Sequence, residues 1–129
     1  SPMNFLDFQG VVSAETDSIT LGETPVQIPS HRSGAKGDLS LGVRPEHVSL
    51  DDATAYKGRV IATEYLGTTQ IVTFDTPNGR LKARIASSDM VRVGETTGLK
   101  FDARSLTIFE NQRGRALLSQ ANEGVLSRG

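Results

Sequence analysis

Apolar residues recur with period two along most of this chain, in short runs separated by Gly, Pro, Asn, Asp and Ser. That rhythm predicts strands with one buried face. Leu6, Phe8, Gly10 and Val12 alternate with Asp7 and Gln9, and Ile19 and Leu21 follow a turn at Thr16-Asp17-Ser18. Val26 and Ile28 predict a short strand ended by Pro29, and Leu39, Leu41 and Val43 alternate up to Arg44-Pro45. There proline fixes φ and removes a donor, which stops the strand. The 56–66 segment holds a longer strand, Val60-Ile61-Ala62-Thr63-Glu64-Tyr65-Leu66, which Gly67 breaks. Two alternating runs, 69–74 and 81–85, flank Thr76-Pro77-Asn78-Gly79. Asn-Gly between such runs is the strongest short-range hairpin signal. Leu99-Lys100-Phe101 follows the Gly94 to Gly98 turn, and Leu106-Thr107-Ile108-Phe109 precedes a turn from Asn111 to Gly114 and then Ala116-Leu117-Leu118. No long helical pattern interrupts the series.

So many short strands with Gly-rich turns point to an all-β fold, a small barrel of the oligonucleotide/oligosaccharide-binding (OB) Greek-key type with little helix. At 129 residues and 36% hydrophobic content, a single domain buries roughly two-thirds of its unfolded surface. We expect that domain to span 1–118, with 119–129 as a flexible tail. The polar segment from Ser30 to Asp38 has no apolar anchor and is expected to be a mobile loop. It is not a phosphate cradle: no Gly stands five residues before a Gly-Lys-Ser/Thr, and no helix follows Lys36.

Charge narrows the functional classes. A net charge of -1 gives no long-range field for a polyanion or an anionic membrane, so nucleic-acid binding would need a local patch. The candidate patch is Arg80, Lys82 and Arg84, which share one strand face while Leu81, Ala83 and Ile85 share the other. Single-strand binding also needs aromatic platforms. With 5% aromatic residues, no Trp, and Phe mostly at apolar-face positions, a solvated strand face balanced by cross-strand carboxylates, or a protein-contact surface, fits better.

The absence of Cys excludes disulfides, thiolate zinc sites and a cysteine nucleophile, and agrees with a reducing compartment. His31 and His47 show no metal-ligand spacing, and no Gly-x-Ser-x-Gly elbow offers His47 a nucleophile. Neither a catalytic set nor a metal site is expected. No apolar run approaches the roughly 20 residues that span a bilayer, and no signal-peptide pattern opens the chain.

Four motifs in order carry a family resemblance. These are Ser1-Pro2-Met3-Asn4-Phe5, then Leu41-Gly42-Val43-Arg44-Pro45-Glu46-His47, then Glu64-Tyr65-Leu66-Gly67, and finally the stretch from Gly94 through Leu106-Thr107-Ile108-Phe109 to Gly114-Arg115-Ala116-Leu117. Together they resemble the C-terminal regulatory (TOBE, transport-associated OB) domain of the ATP-binding subunits of ABC sugar importers, the maltose and glycerol-3-phosphate type. The family often carries an extra residue before Met-Asn-Phe, and a His where Thr107 stands. The resemblance implies a non-catalytic regulatory and dimerisation domain, with Arg44, Pro45, Glu46, His47, Glu64, Tyr65 and Gly67 as the family-motif residues, shaping turns or meeting a partner. It also implies that ATP and Mg belong to an ATPase domain upstream of Ser1, since no Walker motif occurs in these 129 residues, and that this segment holds no cofactor. The implied partners are that ATPase domain, a second copy of the subunit, membrane permease subunits reached through the ATPase domain, and a cytoplasmic regulatory protein. The implied location is the cytoplasmic face of the membrane.

Two other functions stay open on sequence. One is a sensor of a small ligand, an oxyanion or sugar, for which Leu21-Gly22-Glu23-Thr24 against Val93-Gly94-Glu95-Thr96 is the one faint internal echo. The other is a free-standing nucleic-acid-binding OB module resting on the basic stripe.

Overall fold

Eleven strands, most of them alternating inward apolar with outward polar residues, surround one buried cluster among the described residues of the computed structural model, which are 2–111, 115, 116 and 119. Strand β1 (Asn4–Val12) buries Leu6, Phe8 and Val12. It pairs antiparallel with β4 (Ala35–Val43), which on its other edge pairs with β10 (Thr107–Glu110), and β10 pairs with β11 (Arg115–Ala116). Between β1 and β4 lies the hairpin of β2 (Ser18–Leu21) and β3 (Thr24–Gln27). A five-stranded sheet, in spatial order β5-β9-β6-β7-β8, comprises β5 (Val48–Leu50), β6 (Lys57–Leu66), β7 (Thr69–Thr76), β8 (Gly79–Ala86) and β9 (Thr96–Phe101). The core draws on both sheets and the hairpin, joining Leu6, Leu39 and Ile108 to Val60, Phe74, Leu81 and Leu99 with Leu21 and Ile28. The predicted all-β, OB-like fold is the one observed.

Local departures have physical reasons. The predicted turn at 16–18 lies earlier, at Ala14-Glu15, where Glu15 adopts φ 66 and Ser18 already begins β2. The Asn-Gly hairpin forms as expected, but its central residues are Pro77 and Asn78. Thr76 is in register with Gly79, and Gly79 carries the positive φ of 117. Proline supplies the preset φ of the first central position, so the turn shifts one residue back.

The expected loop from Ser30 to Asp38 is a correction. His31 is 1% exposed, and its backbone N–H donates to the Thr16 carbonyl while its carbonyl accepts from Glu15. Strand β4 begins at Ala35, because the polar residues Lys36 and Asp38 face outward opposite Val11 and Gln9 of β1. Polarity without apolar anchors read as a loop; backbone pairing decided otherwise. Ser119 is buried and bridged to His31, and the rest of the expected tail lies outside the described residues, as do most of the turn from Asn111 to Gly114 and Leu117-Leu118.

Strand β9 runs hard against the 51–54 turn. The Asp51 amide donates to the Gly98 carbonyl at 3.0 Å, and a Cβ at Gly98 would collide with the carbonyl oxygen of Asp51 and approach that of Thr54 to 2.8 Å. Both obstacles are backbone. Gly98→Ala is expected to destabilise the fold by about 2–4 kcal/mol through forced displacement of this turn, read as a lowered urea midpoint with an unchanged slope.

Candidate functional site: a basic, apolar groove beside an acidic cleft

The outward face of β6, β7 and β8 forms cross-strand rows. Asp75 stands in register with Arg59 and Arg80, Thr73 with Ala62 and Lys82, and Ile71 with Glu64 and Arg84. Arg80 thus has a carboxylate in direct register, while Lys82 and Arg84 stand opposite Thr73 and Ile71 on the neighbouring strand. A β-bulge in β6 shifts the register between Val60 and Ala62. The extra residue lets Val60 stay buried while Ile61 and Ala62 both line the outer surface. With Pro2 to Phe5 and Pro45 as a wall, these strands enclose an open groove of about 830 Å³, its polar lining being Arg80, Lys82, Arg84, Glu64, Thr73 and Asn4.

Asn4 holds that wall in place. Its Nδ2 donates to the Lys82 carbonyl at 2.8 Å, and its Oδ1 accepts from the Lys82 amide at 2.8 Å. A side-chain amide thereby does for the β8 edge what a neighbouring strand would do, satisfying groups that would otherwise stand open. Phe5, beside it, is 53% exposed and packs edge-on against Phe109 with ring centroids 5.2 Å apart. A second tie lies one turn along: Asn78 donates to the Asp7 carbonyl at 2.9 Å, and its Oδ1 lies 2.8 Å from the Tyr56 hydroxyl. Burial pushes the Tyr56 phenol above its ordinary value, so it remains a donor throughout the physiological range.

Next to the groove lies a cleft of about 630 Å³, with Glu46, Asp52, Asp89 and Glu95 around it and Arg84 on the shared border. The Glu95 carboxylate accepts from the Arg92 amide at 2.8 Å, and Asp52 accepts from the Thr97 hydroxyl at 3.2 Å. The Glu46 carboxyl sits below the usual carboxylate value, first because it accepts from its own backbone N–H. On the cleft's rim Met90 is 81% exposed. The turn that carries it is held from inside: fully buried Gln70 donates to the carbonyls of Ala86 (3.1 Å) and Asp89 (2.7 Å).

The structure divides the family-motif residues among three places. Arg44 precedes, and Pro45, Glu46 and His47 form, a 3₁₀ turn between β4 and β5, so Glu46 and His47 do not alternate as strand residues would. Pro45 is buried and, with Glu64, lines the groove; Glu46 belongs to the cleft; His47 is half-buried, its amide donating to the Arg44 carbonyl and its carbonyl accepting from Asp102. Tyr65 and Gly67 lie at the β6–β7 hairpin tip, Tyr65 62% exposed and Gly67 at φ 82. The residues that sequence reasoning missed are Asn4, Asn78 and Gln70, whose roles depend on long-range backbone partners. Asn4 had a signal in its place in the junction motif, and Asn78 one in the Asn-Gly turn, though neither pointed to these partners. Among the described residues, no group of three or more His, Cys, Asp or Glu is placed to hold a metal ion, and no helix is long and apolar enough to cross a membrane.

Among the described residues, a small antiparallel β fold of two larger sheets and a two-stranded hairpin, with its groove outside and its core filled, defines an OB-like domain. The TOBE domain family model matches residues 41–109, more than half of the chain, and the chain belongs to that family. Among solved structures, it is similar to that of ModG, a cytoplasmic molybdate-binding protein, in a form with molybdate bound. The TM-score is 0.62 at 12% identity, covering 81% of this chain and 94% of that one. At that identity the likeness establishes shared fold. No curated protein matches the sequence.

Asn4→Ala should cost about 1–2 kcal/mol, since it leaves the Lys82 backbone groups without their partner, and should speed amide exchange at Lys82 relative to the rest of β8. His31 supplies a pH prediction. Its Nδ1 donates to the Pro29 carbonyl at 2.8 Å, its Nε2 is buried without a partner among the described residues, and burial lowers its pKa below 6.5. The unfolded chain therefore takes up a proton first as pH falls, so the contribution is fully present above pH 6.5 and is lost below it. Urea unfolding at pH 7.5 and 5.5 should show lower stability at the acid value, and a smaller difference in His31→Asn.

Proposed function

We propose that this TOBE domain is the non-catalytic regulatory and dimerisation unit of the ATP-binding subunit of an ABC importer for sugars or related solutes. The observation that carries the reading is the build of the junction segment. Met3-Asn4-Phe5 is fastened by the Asn4 amide to the β8 backbone and forms the wall of an open groove, so chain entering from upstream would meet the domain beside that groove. An ATPase domain placed there would be joined rigidly to β8, and a shift of one would be felt by the other. ATP and Mg belong in that domain, and this segment takes no cofactor. Its partners are its own ATPase domain, a second copy of the subunit, the permease through the ATPase domain, and a cytoplasmic regulatory protein. The assembly sits on the inner face of the membrane.

The groove suits a protein surface better than a nucleic acid or a small anion. Arg80, Lys82 and Arg84 are spaced along one strand, roughly 7 Å between successive side chains. They form a row over an apolar floor of Ile61 and Ile71, whereas base stacking needs aromatic platforms. The likeness to ModG favours a second reading, an oxyanion sensor, because that relative in fold holds molybdate.

The deciding observation is the open reading frame upstream of the Ser1 codon. A frame encoding Gly-x-x-x-x-Gly-Lys-Ser/Thr is expected; an initiator codon directly before Ser1, with no such frame, would overturn the importer reading. Calorimetric titration with molybdate, sulfate and phosphate should show no saturable heat, and micromolar binding of any of them would move the assignment to the sensor.

A further inference from the structure

Two depressions of opposite charge lie edge to edge on this chain. The groove is lined by Arg80, Lys82 and Arg84 and by one carboxylate, Glu64, with Asp75 in register with Arg80 at its end. The cleft brings Glu46, Asp52, Asp89 and Glu95 against a single cation, Arg84, which lines both. The groove also has an apolar interior of Met3, Phe5, Ile61 and Ile71, and the cleft's rim carries an apolar projection, Met90, which is 81% exposed. Each depression therefore lacks what the other presents, in charge and in shape.

We propose that the occupant of the groove is the Met90 rim and acidic cleft of a second copy of this chain, in a two-fold dimer where each copy's cleft receives the other's basic stripe. This names the contact surface of the second-copy partner in the function above and rests on that part of it. A two-fold interface requires one patch to be complementary to itself, residue i meeting j while j meets i. Adjacent basic and acidic depressions sharing a border at Arg84 meet that requirement, because rotation about an axis near the border sets groove over cleft twice. The opposite registration, groove on groove, would oppose six cations in a partly desolvated space and is disfavoured by like-charge cost.

Thioether flexibility lets Met90 fill an irregular apolar site, and its turn, fixed by Gln70, delivers it from a rigid base. A specific interface needs about 800 Å² per copy, about a tenth of the 7373 Å² this chain exposes. The two depressions take lining residues from six strands, β1 and β5 to β9, and from the 3₁₀ turn and the β8–β9 connection, a span of the needed order.

The test is charge exchange followed by sedimentation equilibrium at low salt. The wild-type chain is expected to dimerise, and more weakly as salt is added. The variant R80E/K82E and the variant E46K/D89K should each lose about tenfold or more in self-association, whereas their equimolar mixture should dimerise again, since both contacts are then of opposite sign. Met90→Asp should also lose association, which checks the apolar contact separately. Unchanged far-UV circular dichroism and thermal midpoints establish that each variant is folded, as expected for exposed positions. A wild-type chain that stays monomeric, variants that dimerise as well as wild type, or a mixture no better than its components would overturn the proposal. An upstream frame lacking an ATPase would leave this outcome untouched, so the two readings fail separately.

Discussion

Two edges of two different sheets, β1 and β8, meet without a ladder between them, and the structure depends on how that seam is closed. A strand edge presents unpaired amides and carbonyls that either recruit another strand or need capping. Here two asparagine side chains do the capping: Asn4 of β1 on Lys82 of β8, and Asn78 of the β7–β8 turn on Asp7 of β1. Because amide groups rather than a continuous ladder join the sheets, the strands can meet at an angle. The wall that turns a sheet face into a groove stands on that seam, at Asn4.

The interior is ordinary for a fold of this size, and its few buried polar groups are placed at joints. Ser40 ties Asp7 to Asn111 across the four-stranded sheet, Tyr56 closes the Pro77-Asn78 turn, and Gln70 fastens the segment after β8. Each joins elements far apart in sequence. Polar groups in a dry interior are costly when unsatisfied, so these contacts specify one arrangement of the strands more strongly than they stabilise it.

How far the sequence foretold this follows from which forces are local. Apolar alternation in 6–12, 39–43, 69–74 and 81–85 is a one-strand property, and all four segments emerged as strands, although in 39–43 Ser40 and Gly42 are buried along with Leu39, Leu41 and Val43. The exception, Ser30 to Asp38, lacked apolar anchors because His31 is held by backbone partners in the 15–16 turn, and no periodicity reports such pairing. The candidate site was legible in its charges: the Arg80, Lys82 and Arg84 row is outward, as its alternation required. What could not be read was the bulge that adds Ile61 to the groove floor, or the packing that sets Glu46 beside Asp89. Those depend on the register between strands, which alternation within one strand does not determine.

The strand order carries a kinetic consequence. Leu41 at the centre of the four-stranded sheet is in register with Leu6 on one side and Ile108 on the other, so that sheet gathers chain from both ends of the domain. The β6–β7–β8 meander, by contrast, closes through two short turns. Contacts of long sequence separation are slow to form, because loop closure must be paid for before they stabilise anything. During synthesis the meander can therefore assemble while β10 is still within the ribosome, leaving β1 and β4 to wait with one edge uncovered. The domain is committed to its fold only after residue 110 or so has emerged, which makes the interval before that its period of greatest exposure to aggregation.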